Sequence, residues 1–292
     1  MKRSFCILIL LSLLLCACGR QEAVPVMLSA PPTVADSETA PQNRTVRVAV
    51  AQLLADSDLV RQMEQRFSQQ TPYRLELSPN SNSTAVSVGQ SGKADVLLVQ
   101  QGTAVSQLVS AGYGDSAIPL FSDSLVLVGP AQDPAQVRSA ETVAQAMVRI
   151  AQSDAVFVSR YDDSDVYRTE MRLWADAGVV IGNGRAWYKP ARQGMSGTLQ
   201  TAAEKGGYTL ASREAFLRED TDLHILMQDV PALQNTYCAV PVSAQMFETV
   251  NAEGAEVFVQ WLLQSDTQAW IQEYGTEDFG RPIFDMKTTM EG

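Results

Sequence analysis

From Val46 onward, short apolar runs alternate along the chain with segments whose apolar residues recur at helical spacing. Val46, Val48 and Val50 alternate with other residues, which is the pattern of a strand. The run 94–99 (ADVLLV) is typical of a buried parallel strand. The segment 140–152 carries apolar side chains on one helical face. This alternation predicts an α/β fold with mainly parallel sheets flanked by helices.

The strand and helix segments fall into two consecutive groups, which predicts two lobes with a cleft between them. In open α/β sheets, ligands bind beyond the carboxyl ends of the strands, where the next helices begin. The residues that follow each predicted strand are therefore the first candidates for a binding site.

The first residues are predicted to be a targeting signal rather than part of the fold. Two positive residues precede an apolar stretch that is too short to span a bilayer comfortably. The stretch ends at residues 15–19 (LCACG), which resemble the lipobox of bacterial lipoproteins, so cleavage before Cys18 would leave that thiol to carry lipid. Residues 1–17 are then a signal peptide and residues 18–45 a lipid-anchored flexible linker. The alternative is an ordinary secretory signal with incidental cysteines.

Charge and composition exclude several function classes. The formal net charge is −11, from 22 Lys and Arg against 33 Asp and Glu, so nucleic-acid binding is not expected. The single His, His224, excludes a multi-His metal site. Cys238 remains as the one free cysteine after cleavage and lipidation, and its only conceivable partner base is His224. Residues 194–198 (GMSGT) resemble a nucleophile elbow only loosely. We therefore predict no enzyme activity and no cofactor.

Further along the chain, blocks of residues carry a resemblance to a known family. These blocks are 93–99 (KADVLLV), 111–114 (AGYG), 125–130 (LVLVGP), 133–135 (DPA), 157–164 (FVSRYDDS), 187–188 (WY), 193–195 (QGM) and 208–210 (YTL). In this order they resemble the extracytoplasmic substrate-binding proteins of ABC transporters, in the tungstate-binding branch. The resemblance implies a type II periplasmic-binding-protein fold, in which two α/β lobes joined by two crossovers close on the ligand.

The resemblance also implies a domain organisation and a set of partners. The crossovers fall near Val128 and near Val240, so residues 46–128 plus 241–292 form lobe 1 and residues 129–240 form lobe 2. The protein is then a monomer in the cell envelope, extracytoplasmic and lipid-anchored to the membrane. Its implied partners are a small anionic solute and the permease of an ABC transporter.

That family binds its ligand with two motifs: a hydroxyl-rich turn after the first strand, and a Ser-Arg-Gly-Asp-Asp-Ser-Gly-Thr stretch that opens a helix. An oxyanion that has lost its water needs donors on all sides, and hydroxyls, helix N-termini and an Arg supply them. The second motif is retained here at Ser159, Arg160 and Ser164. Tyr161 stands where Gly is usual, and Asp165 begins the pair that replaces Gly-Thr. Their bulk and negative charge should weaken the binding of a small oxyanion.

The first motif is absent, because residues 50–53 (VAQL) carry no hydroxyl. Replacement donors are predicted at Ser83 and Thr84, in a loop before Lys93, and at Arg192. The pocket would then suit a different or larger anion, or a ligand that also pairs with Asp165. The predicted ligand-binding residues are Ser83, Thr84, Ser159, Arg160, Tyr161, Ser164, Asp165, Arg192 and Gly194.

Three functions stay open at this point. The first is a lipid-anchored solute-binding protein that captures a tungstate- or molybdate-like oxyanion in the cleft between the lobes and delivers it to an ABC permease. The second is a diverged accessory or sensory lipoprotein with a different anionic or organic ligand. The third is an enzyme on the same fold, which would need a reactive centre built from Cys238, His224 or the Asp162 and Asp163 pair.

Overall fold

The computed structural model describes residues 43–153, 155–182 and 185–286. The chain divides into two units, Met1–Thr39 and Ala40–Gly292. The first unit lies outside the described residues. The predicted signal peptide, the lipidation site Cys18 and most of the predicted linker therefore stay predictions from the sequence.

The second unit alternates strands and helices along most of its length. Its strands are β1 (Thr45–Ala51), β2 (Arg74–Asn80), β3 (Val96–Gln100), β4 (Ile118–Pro130), β5 (Phe157–Ser159), β6 (Tyr188–Pro190), β7 (Thr209–Ser212), β8 (Leu223–Met227), β9 (Gln234–Pro241) and β10 (Asp285–Met286). Its α-helices are α1 (Gln52–Ala55), α2 (Asp58–Gln70), α3 (Asn82–Gln90), α4 (Thr103–Ser110), α5 (Val143–Gln152), α6 (Asp165–Asp176), α7 (Gly194–Glu204), α8 (Arg213–Arg218), α9 (Ala252–Leu263), α10 (Ser265–Glu273) and α11 (Thr276–Phe279). No helix within the described residues is both long and apolar enough to cross a bilayer.

One large sheet and one small sheet organise these strands. The large sheet has the order β10-β4-β9-β3-β1-β2, with β7 and β8 also paired to β4, and β5 and β6 form a separate pair. β1 pairs in parallel with β2 and β3, and β5 pairs in parallel with β6. Every antiparallel pair among the described strands involves β4 or β9. The predicted α/β class is thus confirmed.

β4 connects the two parts of the large sheet because it changes partners along its length. Ile118–Ser124 pairs with β9, whereas Leu125–Pro130 pairs with β7 and β8. The predicted crossover at Val128 lies in β4 beyond this change. The predicted crossover at Val240 lies in β9, where Val240 is opposite Leu97. The assignment of residues to two lobes stays a prediction.

Hydrophobic clusters on both parts of the sheet stabilise the fold. Around β1, Phe67 packs edge-on against Phe258 and Trp261, with ring centroids 5.1 and 5.6 Å apart. In the cluster on the other part, which contains Leu125 and Leu127 of β4, Phe157 of the small sheet packs edge-on against Trp174 with centroids 5.0 Å apart. Full burial of a side chain of this size stabilises a fold by about 1.5–3 kcal/mol. Separate aromatic cores therefore hold the strands on each side of the change of partner in β4.

One part of the secondary structure differs from the prediction. Ser83 and Thr84 lie in the first turn of α3 and not in a loop. Ser81 caps this helix, because its Oγ accepts the N–H of Thr84 at 3.3 Å. The capping Ser and two buried apolar residues, Ala85 and Val86, stabilise the helix. The segment is short and rich in Ser, so its apolar periodicity is weak, and the pattern did not reveal the helix.

Candidate binding site

A cavity of about 410 Å³ lies where several strands end and the following helices begin. This is the position that the alternation of strands and helices predicts for a ligand site. The lining residues come from the segment after β1, from β4, from the residue after β5, from the start of α7, and from the end of β7 through α8 to the residue that follows it. They are Leu53, Asp56, Ser57, Asp123, Arg160, Met195, Ser196, Ser212, Glu214, Ala215, Arg218 and Glu219.

Arg160 is the member of the predicted ligand set that lines this cavity. Its side chain is 13% exposed, and its Nε donates to Oδ2 of Asp162 at 2.6 Å. Oδ1 of Asp162 accepts the N–H of Ser164 at 3.0 Å. Burial acts to raise the pKa of Asp162, but the hydrogen bonds from Ser164 and Arg160 outweigh it and hold that pKa below its ordinary value. The ionised Asp162 therefore fixes the guanidinium at the cavity wall.

Within the described residues, the guanidinium of Arg160 has no hydrogen-bond partner other than Asp162. Because Asp162 binds the Nε side, the two terminal nitrogens can donate to a solute. A guanidinium with a fixed orientation suits the recognition of carboxylate, phosphate and similar oxyanions.

Ser159 does not line the cavity, but its side chain stabilises the loop that carries Arg160. Its buried Oγ donates to Oε2 of Glu170 at 2.8 Å and accepts the N–H of Tyr161 at 3.1 Å. Glu170 also accepts the hydroxyl of Tyr188 at 2.6 Å and Nε1 of Trp174 at 3.3 Å. Burial raises the pKa of Glu170 to about 7 in spite of these three donors. The buried carboxyl therefore fixes the strand end that carries Arg160.

The raised pKa of Glu170 predicts a pH dependence of stability. Its carboxyl binds a proton more readily in the folded chain than in the unfolded chain, where the pKa is 4.5. The free energy of unfolding should therefore fall as the pH rises from about 4.5 to about 7, by about 3 kcal/mol from this group. Glu170→Gln should remove this part of the slope in urea unfolding measured between pH 4 and 8. Glu204→Gln, at an exposed position of α7, is the control, and identical slopes for wild type and Glu170→Gln would contradict the prediction.

Acidic residues that the sequence did not indicate also line the cavity. Asp123, in β4, accepts Nδ2 of Asn235 at 2.9 Å and the hydroxyl of Tyr237 at 3.2 Å. Burial raises the pKa of Asp123 to about 6. Glu214 accepts Nη2 of Arg218 at 2.8 Å, so this second cationic group of the cavity is paired. No local motif marks these residues, because strand pairing and helix packing bring them together.

The described residues contain no cluster of three or more His, Cys, Asp or Glu side chains arranged to hold a metal ion. In the cavity, the carboxylates of Asp123 and Glu214 accept hydrogen bonds from Asn, Tyr and Arg side chains.

Asp165 does not line this cavity but makes a long-range contact. It is the first residue of α6, behind the capping Ser164, whose Oγ accepts the N–H of Tyr167 at 3.2 Å. The carboxylate of Asp165 is 5% exposed and accepts the backbone N–H of Asn82 at 3.1 and 3.2 Å. Nη1 of Arg168 lies 3.3 Å away. Ser164 therefore caps α6, while Asp165 binds the start of α3.

Tyr161 and Arg192 line a second pocket, of about 300 Å³. The guanidinium of Arg192 lies over the ring of Tyr161, 4.8 Å from its centroid, and both residues have positive φ, 50° and 56°. The N–H of Arg192 also donates to the carbonyl of Arg160 at 3.2 Å. These two predicted residues therefore contact each other across the loop that carries Arg160.

The remaining predicted residues lie at the starts of two helices. Gly194 begins α7 with φ of 69°, and the next two residues, Met195 and Ser196, line the cavity. Ser83 and Thr84 are exposed on the first turn of α3. The structure thus distributes the predicted ligand residues over the cavity, the neighbouring pocket and the start of α3.

The fold and this site define a class of protein. Residues 35–267 match the sequence profile of the PBP superfamily domain, so the chain belongs to the periplasmic-binding-protein superfamily. It is 32% identical over 244 residues to the tungstate-binding protein TupA of Peptoclostridium acidaminophilum, a match that covers 82% of this chain and 85% of that protein.

Two solved structures are similar to this chain. The tungstate-binding protein TupA from Desulfovibrio alaskensis G20 has a TM-score of 0.74 at 31% identity, covering 84% of this chain and 100% of that one. The tungstate ABC transporter structure from Geobacter sulfurreducens has a TM-score of 0.66 at 28% identity, covering 79% of this chain and 98% of that one. The predicted periplasmic-binding fold and the resemblance to tungstate-binding proteins are thus confirmed.

Proposed function

We propose that the protein is the solute-binding component of an ABC transporter, that it captures a small oxyanion of the tungstate or molybdate class, and that it delivers this anion to the permease. The observation that carries the proposal is Arg160, which Asp162 holds at the wall of a cavity at the carboxyl ends of the strands. The similarity to proteins named for tungstate binding supports the class of ligand. The same similarity supports a binding role rather than catalysis.

A screen of anions tests this proposal. The melting temperature of the purified chain is measured with tungstate, molybdate, sulfate, phosphate and small carboxylates, at equal ionic strength. A ligand at 100 times its Kd stabilises a folded protein by about 2.7 kcal/mol. Tungstate or molybdate should therefore raise the melting temperature, and calorimetry then gives the affinity. A chain that no oxyanion stabilises would contradict the proposal.

A second candidate is a diverged accessory or sensory protein with a different anionic or organic solute. It is favoured by the size of the cavity, about 410 Å³, and by the carboxylates of Asp123 and Glu214, which line the cavity together with Arg160. A cavity of this size, lined by carboxylates as well as an arginine, suits a solute that is larger than a tetrahedral oxyanion and that carries hydrogen-bond donors of its own. Stabilisation by an organic anion, with no response to tungstate or molybdate, would support this second function.

We also propose that the protein acts outside the cytoplasm as a monomer anchored by lipid on Cys18, with the flexible segment 18–45 as the tether. Cys18→Ser should abolish membrane attachment or block maturation, because a single thiol carries all the lipid. Membrane fractionation of cells that express the variant measures this. Cys16→Ser is the matched control, because Cys16 lies in the segment that cleavage removes. If the Cys18→Ser chain is processed and fractionates with membranes as before, the anchor is elsewhere.

A further inference from the structure

The contact between Asp165 and Asn82 joins segments that are 83 residues apart in the chain. Both oxygens of the carboxylate lie within hydrogen-bond distance of one backbone N–H, at 3.1 and 3.2 Å. That N–H belongs to the first residue of α3, a helix of nine residues. The first amides of a helix have no partner within the helix and carry its positive end, so they bind anions. The carboxylate of Asp165 here occupies that position.

The donor on α3 is fixed independently of Asp165. Oδ1 of Asn82 accepts the N–H of Gln100 at 2.7 Å, and Nδ2 of Asn82 lies 3.4 Å from the carbonyl of Gln100. The start of α3 is thereby bound to the end of β3. Ser81 caps the amide of Thr84. The amide of Asn82 thus keeps its orientation when the carboxylate is removed, and it remains a preformed anion donor.

Burial of Asp165 and apolar packing of its neighbour also hold this carboxylate at the start of α3. Asp165 is 5% exposed, so its carboxylate has lost nearly all its water. Leu53, in the short helix after β1, is buried in the same hydrophobic cluster as Val166, the neighbour of Asp165. Leu53 also lines the cavity together with Arg160. An apolar contact and a charged contact therefore both hold the start of α6 against the segments that precede β4.

We propose that Asp165 is a specificity-determining residue: its carboxylate acts as an internal anion that occupies the start of α3 and excludes a solute oxyanion from it. This inference rests on the proposed function, since it concerns the same solute. The solute is left with Arg160 and the cavity and does not reach the amide of Asn82. A tetrahedral oxyanion then receives no hydrogen bond from the start of α3. The negative charge of Asp165 also repels it.

The test compares two charge-equivalent variants of the full-length chain in detergent. Asp165→Ala removes the internal anion, whereas Asp163→Ala removes the same charge from an exposed position in the loop that precedes α6. Calorimetry with tungstate and with sulfate should show at least about tenfold tighter binding for Asp165→Ala than for Asp163→Ala, the size expected for one charged hydrogen bond. Equal affinities in the two variants would overturn the proposal, because only the general charge would then matter.

A second measurement starts from the chain without a ligand. Amide hydrogen exchange of the peptide at the start of α3 is followed by mass spectrometry in buffer that contains no oxyanion. In Asp165→Ala the amide of Asn82 loses its acceptor and should exchange about tenfold faster or more, and sulfate or tungstate should slow the exchange again. In Asp163→Ala the exchange should match wild type. Unchanged exchange in Asp165→Ala would overturn the proposal.

The two measurements separate this inference from the proposed function. If wild type binds an oxyanion but Asp165→Ala and Asp163→Ala bind it equally well, the specificity role fails and the binding function stands. If Asp165→Ala exchanges faster at α3 but no oxyanion binds to any variant, both fail. A third variant, Asp165→Asn, removes the charge but keeps the size of the side chain. It should bind the oxyanion with an affinity between those of wild type and Asp165→Ala.

Discussion

Replacement of Arg160 by alanine should weaken oxyanion binding by roughly 30- to 1,000-fold, which corresponds to about 2–4 kcal/mol. The guanidinium is 13% exposed and is oriented by a 2.6 Å hydrogen bond to Asp162. Its charge therefore acts where little water screens it. The other cationic side chain that lines the cavity, Arg218, donates both Nε and Nη2 to Glu214, whereas Asp162 binds only Nε of Arg160. Calorimetry with tungstate or molybdate measures the loss.

Two further variants test whether the loss of affinity comes from the guanidinium of Arg160. Arg172→Ala removes the same charge from an exposed pair with Asp176 on α6 and should leave the affinity unchanged. Arg160→Lys keeps the charge but loses the planar fork of donors, so it should restore only part of the affinity. A dissociation constant for folded Arg160→Ala equal to that of wild type would show that the solute binds elsewhere.

Replacement of Asp95 by alanine should lower the free energy of unfolding by about 3–5 kcal/mol, because a fully buried carboxylate that accepts several hydrogen bonds, two or more of them from a charged group, is lost. Asp95 is fully buried before β3. Its carboxylate accepts the backbone N–H of Arg47 at 2.7 Å, Nε of the same residue at 3.2 Å, and the N–H of Asn251 at 2.9 Å. Its removal leaves partly buried donors from β1 and from the cap of α9 without an acceptor.

Urea unfolding followed by circular dichroism measures this loss of stability. Asp176→Ala is the control, because Asp176 pairs with Arg172 at an exposed position of α6. Exposed pairs of this kind contribute about 0–1 kcal/mol. If the two variants lose the same stability, the network around Asp95 does not connect these elements in the way that the hydrogen bonds indicate.

The loop after β5 shows how far sequence reasoning reached into the site. The motif at 159–164 predicted that a strand would end, that Ser164 would begin a helix and that Arg160 would lie at the junction. The structure has these elements at these residues, and Arg160 lines the cavity. A strand end, a cap and the following helix involve residues close together in the chain, so the pattern of residue types contains them.

The segments that were not predicted depend on distant partners. β9 contains Gln, Asn and Pro and has no strong apolar alternation, yet it lies between β3 and β4 at the centre of the sheet. β3 and β4 bury β9 and form hydrogen bonds with its backbone. Its strand conformation therefore depends on tertiary packing. The acidic residues Asp123 and Glu214 were missed for the same reason, since β4 and α8 bring them to the cavity.

The sequence by itself determined the α/β class, the order of most strands and helices, and the presence of an arginine between β5 and α6. These features follow from apolar periodicity and helix capping, which act over a few residues. Only the tertiary structure decided that the carboxylate of Asp165 binds the amide of Asn82, that Tyr161 and Arg192 contact each other in a second pocket, and that acidic side chains from β4 and α8 line the same cavity as Arg160. Such contacts join residues that are far apart in the chain. Their distances and burial depend on how the whole sheet packs, and no local pattern of residues contains that information.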